Sequence, residues 1–368
     1  MKINIKNNQN NFKVIWTFVI LFLLHMILSN CVIVANASES KGIIDEIYIS
    51  ENNYKDDMSN IVEPYIKSKM ESGYVDGDED VKLYYEQYKV ENAKANIVIS
   101  HGYTESLEKY HEMIYYFLKD GYNVFGIEHR GHGRSGTLGI ADKSQINVKD
   151  FNQYVTDFKT FMDEIVMPNN EGKKVFLYAH SMGGAIGVKF LEDYPNYFNA
   201  AILNAPMLEV NTGNIPEFIA KLIVNIEVAL GNGGKYVLGK KPYTTEYNKD
   251  EIGTTSINRY EYIHNIVANN EELQRGGASY NWTKEAFRTT EDVVKEENAS
   301  KVEIPVLLFQ AGQDTYVKSE GQNKFAKGAK NCKIEKMDDS RHEIYLERDE
   351  IQKPYLVSVL DFYEKSIN

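Results

Sequence analysis

Cysteine is nearly absent: two in 368 residues, Cys31 and Cys332. Cys31 falls inside an N-terminal leader, so a processed chain keeps Cys332 alone and has no intrachain disulfide. Cationic charge is also short, with 41 Lys and Arg against 53 Asp and Glu, a formal net charge of −12. Loss of Lys2, Lys6 and Lys13 with the leader takes this to −15. Such a surface excludes nucleic acid as a partner and argues against tight electrostatic adsorption on anionic lipid. Metal-ligand spacing is missing too. His129 and His132 stand three apart on a Gly-rich loop, with no carboxylate or Cys partner at ligand spacing. A turn locked by hydrogen bonds from Arg130 accounts for that loop better.

The leader itself is well marked. Residues 1–13 are basic, Val14 to Leu28 is apolar apart from Thr17 and His25, and Ala35-Asn36-Ala37 follows. That pattern predicts a secretory signal peptide over residues 1–37, cut before Ser38, and an exported protein. Two alternatives stay open. Cys31 could be lipidated, although Asn30 is a poor residue before it, or the apolar stretch could remain as an anchor. Residues 38–94 read as an N-terminal segment with a helix over Met58–Met70. A hairpin follows over Gly73–Val90, turning at Gly77-Asp78. From Ala95 strands and helices alternate, which predicts an α/β fold: a mostly parallel sheet covered by helices on both faces.

The chain is organised around Val175-Phe176-Leu177-Tyr178-Ala179-His180-Ser181-Met182-Gly183-Gly184. An apolar strand runs to Ala179, and helical spacing begins after Ser181. Ser181 therefore sits on a sharp strand-to-helix turn between the small residues Ala179 and Gly183. This is the nucleophile-elbow pattern, with Ala in place of the usual first Gly. The strand Ile97–Ser100 ends in His101-Gly102-Tyr103, and the N–H of Tyr103 can pair with that of Met182 as an oxyanion hole. His101 itself reads as structural.

Downstream, the strand Val306–Gln310 leads to Asp314, and Ile334–Met337 leads to His342. The order Ser181, Asp314, His342 suits a nucleophile, an orienting acid and a base. Asp338 and Asp339 compete as the acid, but Asp314 ends a strand and can approach from a neighbouring loop.

HGYTESLEKY (101–110), RGHGRSG (130–136), AHSMGG (179–184) and the Asp314/His342 pair resemble the monoacylglycerol lipase-like branch of the α/β-hydrolases. Within it the chain is most similar to bacterial lysophospholipases. The likeness runs through VKDFNQYVTD (148–157), with Asn147 where that family often has His, and through segments at Arg259-Tyr260 and 275–282. It covers roughly 95–362. The resemblance implies an α/β-hydrolase fold divided into 95–207 and 301–368, with a lid inserted over 208–300 after the strand near 200–204. It also implies an acyl-serine mechanism on a lysophospholipid or monoacylglycerol, transient contact with a membrane or micelle surface, and no metal or organic cofactor.

Within the insertion, Phe218, Ile219, Leu222, Ile223, Ile226 and Leu230 predict an apolar helix face. That face either packs on the domain below or guides an acyl chain. Arg259 and Arg275 are candidate clamps for a substrate phosphate, against the alternative of ion pairs with Glu261, Glu271 or Glu272.

Overall fold

The computed structural model describes residues 40–250 and 252–367. The leader, Cys31 and the cleavage site lie outside the described residues. The chain divides into two compact units, 1–46 and 47–368; in the first, residues 40–46 are helical.

In the second unit an eight-stranded sheet forms among the described residues, in the order β1-β2-β4-β3-β5-β6-β7-β8. The strands are β1 (Met70–Asp76), β2 (Lys82–Tyr88), β3 (Ala95–Ser100), β4 (Tyr122–Ile127), β5 (Val175–His180), β6 (Ala200–Asn204), β7 (Val306–Ala311) and β8 (Cys332–Met337). The pairs β1–β2 and β2–β4 are antiparallel, and every other neighbour pair is parallel. Every residue of β3, β4, β5 and β6 is buried. Parallel strands covered on both faces require this, and it explains why they read as continuous apolar runs rather than alternating ones.

The main helices are α1 (His111–Lys119), α2 (Asn152–Phe161), α3 (Ser181–Asp193), α4 (Glu217–Ala229), α5 (Ile257–Ala268), α6 (Tyr280–Val293), α7 (Ser319–Gly328) and α8 (Asp349–Ile367). Three of them, α4, α5 and α6, fall in the long connection between β6 and β7.

The predicted helix over Met58–Met70 is shifted. Helical turns run from Tyr54 to Lys67, and Met70 already belongs to β1. Pairing of Met70 with Tyr88 draws it into the ladder, an option that only a partner strand provides. The predicted hairpin is present, its turn held by the Asp78 amide donating to Asp157 Oδ1 at 2.8 Å. Asp157 also receives Arg130 Nε at 2.6 Å, so this buried ion pair joins the 130–136 loop to α2.

Near the end of α3, Glu192 is buried, and neither carboxylate oxygen has a hydrogen-bond partner among the described residues. Burial pushes its pKa up to about 9. An unfolded Glu ionises near its ordinary value, about 4.3. Between these values the unfolded chain holds fewer protons than the folded one, so stability falls as pH rises through the window. Thermal melts from pH 5 to 9 should show a smaller loss of Tm in Glu192→Gln than in the natural chain.

Candidate functional site

Ser181 stands where β5 turns into α3 with φ of +50°, the left-handed region that costs a non-glycine residue backbone strain. The tight turn is held from the far side by the Met207 amide donating to the Ser181 carbonyl at 2.8 Å. Gly183 is obligatory here, since a Cβ would collide with the carbonyl oxygens of Ser100 and His101. The small residue at 183 is thus explained by the closeness of the β3 backbone, and Gly184 by that of Pro206.

Ser181 Oγ lies 2.8 Å from His342 Nε2, and His342 Nδ1 lies 2.6 Å from Asp314 Oδ2. Asp314 Oδ1 accepts from the amides of Tyr316 (2.8 Å) and Val317 (3.0 Å). Burial pushes the Asp314 carboxyl up, but the His342 ring and these amides outweigh it and hold the group below its ordinary value. It is therefore an anion at neutral pH. Asp338 and Asp339 are exposed, and the hydrogen bond to the imidazole goes to Asp314. The three side chains from separate loops form the relay that a hydroxyl nucleophile needs.

Beside the relay, Met182 opens α3, where helix geometry leaves the first amides without intrahelical acceptors. Tyr103 forms the facing wall. Its Oη donates to the Gly276 carbonyl at 3.1 Å and its ring packs 4.7 Å from that of Trp282.

Two residues that sequence reasoning passed over hold this geometry. His180 places Nε2 3.2 Å from the His342 carbonyl and Nδ1 3.2 Å from the Glu105 carboxylate. Glu105 in turn accepts from the Gly102 amide (2.6 Å), Tyr110 Oη (2.6 Å), Tyr345 Oη (3.0 Å) and Lys109 Nζ (3.0 Å). Burial raises the Glu105 carboxyl, and Lys109, His180 and Tyr110 together reverse this and drive it well below the ordinary range. One buried anion thus ties the Gly102–Tyr103 loop to the His342 loop. Glu105 lay in plain view inside the HGYTE run, but its partners come from distant segments.

His101 is structural, as expected. It is fully buried, with Nδ1 2.8 Å from the Gly102 carbonyl and Nε2 accepting the His129 amide at 2.9 Å. His129 Nε2 pairs with Ser100 Oγ at 2.9 Å, and His132 Nδ1 with the Arg130 carbonyl at 3.1 Å. Burial lowers the pKa of all three rings, so they are neutral packing groups.

The expectation for Arg259 and Arg275 is corrected. Arg259 is fully buried, 3.2 Å from Glu112 Oε2 and 3.0 Å from Asp349 Oδ1, and it donates to the carbonyls of Ile49 and Glu347. Arg275 is buried with its donors on the carbonyls of Gly131, Gly133, Gly136 and Gln274. Neither reaches the cavity above Ser181, and neither pairs with Glu261, Glu271 or Glu272. A guanidinium out of water needs several fixed acceptors, and α1, α8 and the 131–136 loop supply them.

Above Ser181 opens a cavity of about 570 Å³. Ser181, His342, Tyr103 and Glu105 line it together with the apolar Ile223, Val224, Val237 and Phe287. The α4 face therefore divides. Val224 packs with Tyr280 and Phe287, and Ala220 and Ile223 line the cavity. Phe218, Leu222, Ile226 and Leu230 point outward and are exposed.

A family profile described as "Serine aminopeptidase, S33" (Hydrolase_4) matches residues 91–349. The sequence is 30% identical over 300 residues to lysophospholipase L2 of Escherichia coli (strain K12), covering 78% of this chain and 86% of that one. It is 31% identical over 124 residues to the monoacylglycerol lipase of Mycolicibacterium smegmatis, covering 34% and 42%. A soluble variant of monoglyceride lipase from Saccharomyces cerevisiae, solved with a substrate analogue, superimposes with a TM-score of 0.63. It is 18% identical and covers 81% of this chain and 96% of that one, a likeness of fold.

Proposed function

Because the chain belongs to the serine aminopeptidase S33 family of α/β-hydrolases, we propose that it is a lysophospholipase, releasing a fatty acid from a lysophospholipid through an acyl-serine intermediate. One observation carries the reading: the Ser181 hydroxyl, already paired with His342, lines a cavity whose walls include the apolar Ile223, Val224, Val237 and Phe287. An acyl chain laid along Ile223, Val224 and Phe287 puts its ester carbonyl over Ser181. His342 takes the Ser181 proton as Oγ attacks, and Asp314 stabilises the imidazolium that forms. The amides of Met182 and Tyr103 face the oxygen on which charge develops. His342 then hands the proton to the leaving alcohol, and water repeats the sequence in reverse to free the fatty acid.

The choice of substrate rests on extent of similarity. The match to the E. coli lysophospholipase L2 takes in 86% of its length, lid region included, and that to the M. smegmatis monoacylglycerol lipase 42%. Monoacylglycerol is the near alternative, since the same apolar cavity suits it.

The outward ridge of α4 supports a transient contact with the lipid surface that holds such substrates. Phe218 and Leu230, 72% and 70% exposed, lie on the element roofing the cavity. Apolar burial would drive the contact, because the acidic protein gains nothing electrostatically from anionic lipid. Export through the leader is part of the same proposal. N-terminal sequencing of protein recovered outside the cytoplasm should begin at Ser38, and a lipid-modified Cys31 would replace that reading.

The test is hydrolysis of a micellar lysophospholipid, a monoacylglycerol, a water-soluble short ester and a peptide side by side. Lysophospholipid should give the highest kcat/KM. Phe218→Asp combined with Leu222→Asp should reduce turnover of micellar substrate about tenfold or more, since each Asp replaces an exposed apolar side chain that the lipid contact would bury. The soluble ester should be spared. A peptide turned over fastest would overturn the assignment.

A further inference from the structure

Resting on that reading, we propose that a second cavity beside the first receives the ammonium group of an ethanolamine-type head group. This cavity of about 140 Å³ shares Thr104, Glu105 and Glu343 with the larger one, so the two meet along a polar wall. None of the apolar side chains assigned to the acyl chain, Ile223, Val224 and Phe287, lines it, so the alcohol half of the ester is the part left to extend into it. Its size suits a terminal group of a few heavy atoms.

Its unspent polarity identifies the ligand. Two buried oxygens among its lining residues, Glu343 Oε2 and Tyr243 Oη, have no hydrogen-bond partner among the described residues. Buried polar atoms without partners are rare and call for one. The cationic donors here are already committed. Lys109 Nζ bridges Glu105 at 3.0 Å and Glu343 at 2.6 Å, and Arg275 spends its donors on backbone carbonyls. Glu105 and Glu343 are balanced by Lys109 and the Arg275 guanidinium, so these four groups leave no excess positive charge to attract a phosphate. Of what remains, Glu343 Oε2 can only accept and Tyr243 Oη can accept as well as donate, so N–H donors satisfy both, whereas a phosphate would face an unpaired carboxylate oxygen.

The aromatic surround agrees. Tyr260 and His264 line the cavity with rings stacked 5.6 Å apart, and Tyr247 packs on both. Aromatic faces attract an ammonium through the ring quadrupole. A primary ammonium has three N–H donors, enough for Glu343 Oε2 and Tyr243 Oη together, whereas a trimethylammonium offers none.

The experiment measures binding of glycerophosphoethanolamine and glycerophosphoglycerol to the full chain by ligand-observed NMR titration. These share a phosphodiester and differ in the ammonium. The natural chain should bind the ethanolamine compound about tenfold more tightly, a typical gain for a shielded charge-assisted contact. Glu343→Gln should bring the ratio of the two Kd values close to one, and Tyr243→Phe should lower it by about threefold or more, the loss of one hydrogen bond from the ammonium. Each ratio is read within one protein, so any loss of turnover does not enter it. Equal or absent binding of the two compounds by the natural chain, or a ratio unchanged in both variants, overturns the proposal. Failure to hydrolyse lysophosphatidylethanolamine despite a preserved ratio would instead count against the lysophospholipase reading alone.

Discussion

Ser181→Ala is expected to lower kcat by about 10⁴- to 10⁶-fold on every ester substrate, with KM little changed. His342→Ala should cost a similar factor, and the double variant scarcely more. The 2.8 Å bond between Oγ and Nε2 makes nucleophile and base one device, and removing either half disables it. Substrate positioning and the proposed oxyanion donors, the amides of Met182 and Tyr103, are kept in both variants and should supply the residual rate. Reaction with a fluorophosphonate probe provides an independent check, since it labels only an activated serine. Labelling should disappear in Ser181→Ala while circular dichroism stays that of the natural chain. Labelling that persists at another serine would show that the nucleophile lies elsewhere.

Asp314→Asn is expected to cost about 10⁴-fold in kcat at neutral pH while the protein stays folded. The carboxylate accepts the Nδ1 proton, which leaves Nε2 bare to receive the proton of Ser181. An amide at the same place can turn its NH₂ toward Nδ1, and the ring then carries its proton on Nε2, facing Oγ with the wrong tautomer. Two backbone amides, of Tyr316 and Val317, still find the remaining oxygen of Asn, so the loop should keep its shape. Activity should recover in part as pH rises, because hydroxide can replace the missing base. A pH–rate profile and a melting curve on the same preparation separate loss of chemistry from loss of fold. Should Asp338→Asn or Asp339→Asn prove the crippling change, the acid has been misassigned.

Local sequence decided the parts of this molecule that are local. A strand running into a helix through one serine needs small neighbours and a strained φ, and both demands fall within a few residues of Ser181. Buried parallel strands must be largely apolar, so β3, β5, β6 and β7 were legible as short runs, and the loops after β5, β7 and β8 placed Ser181, Asp314 and His342 in sequence. Loop positions after strands also favoured Asp314 over Asp338 and Asp339, which stay in solvent.

What remained for the tertiary structure was the pairing of the other buried charges and the division of apolar faces. Arg259 looked like a lid cation facing substrate; burial against Glu112 and Asp349, 147 and 90 positions away, made it a structural hub. Met70 left the predicted helix because Tyr88 offered a strand partner. The apolar face of α4 was visible as a pattern, but only packing with Tyr280 and Phe287 divided it into a cavity wall and an outward ridge. Glu105 and His180 gave no periodic or spacing signal for their joint role. Periodicity reports which side of an element is apolar, whereas the pairing of buried charges depends on chain segments that meet only after folding.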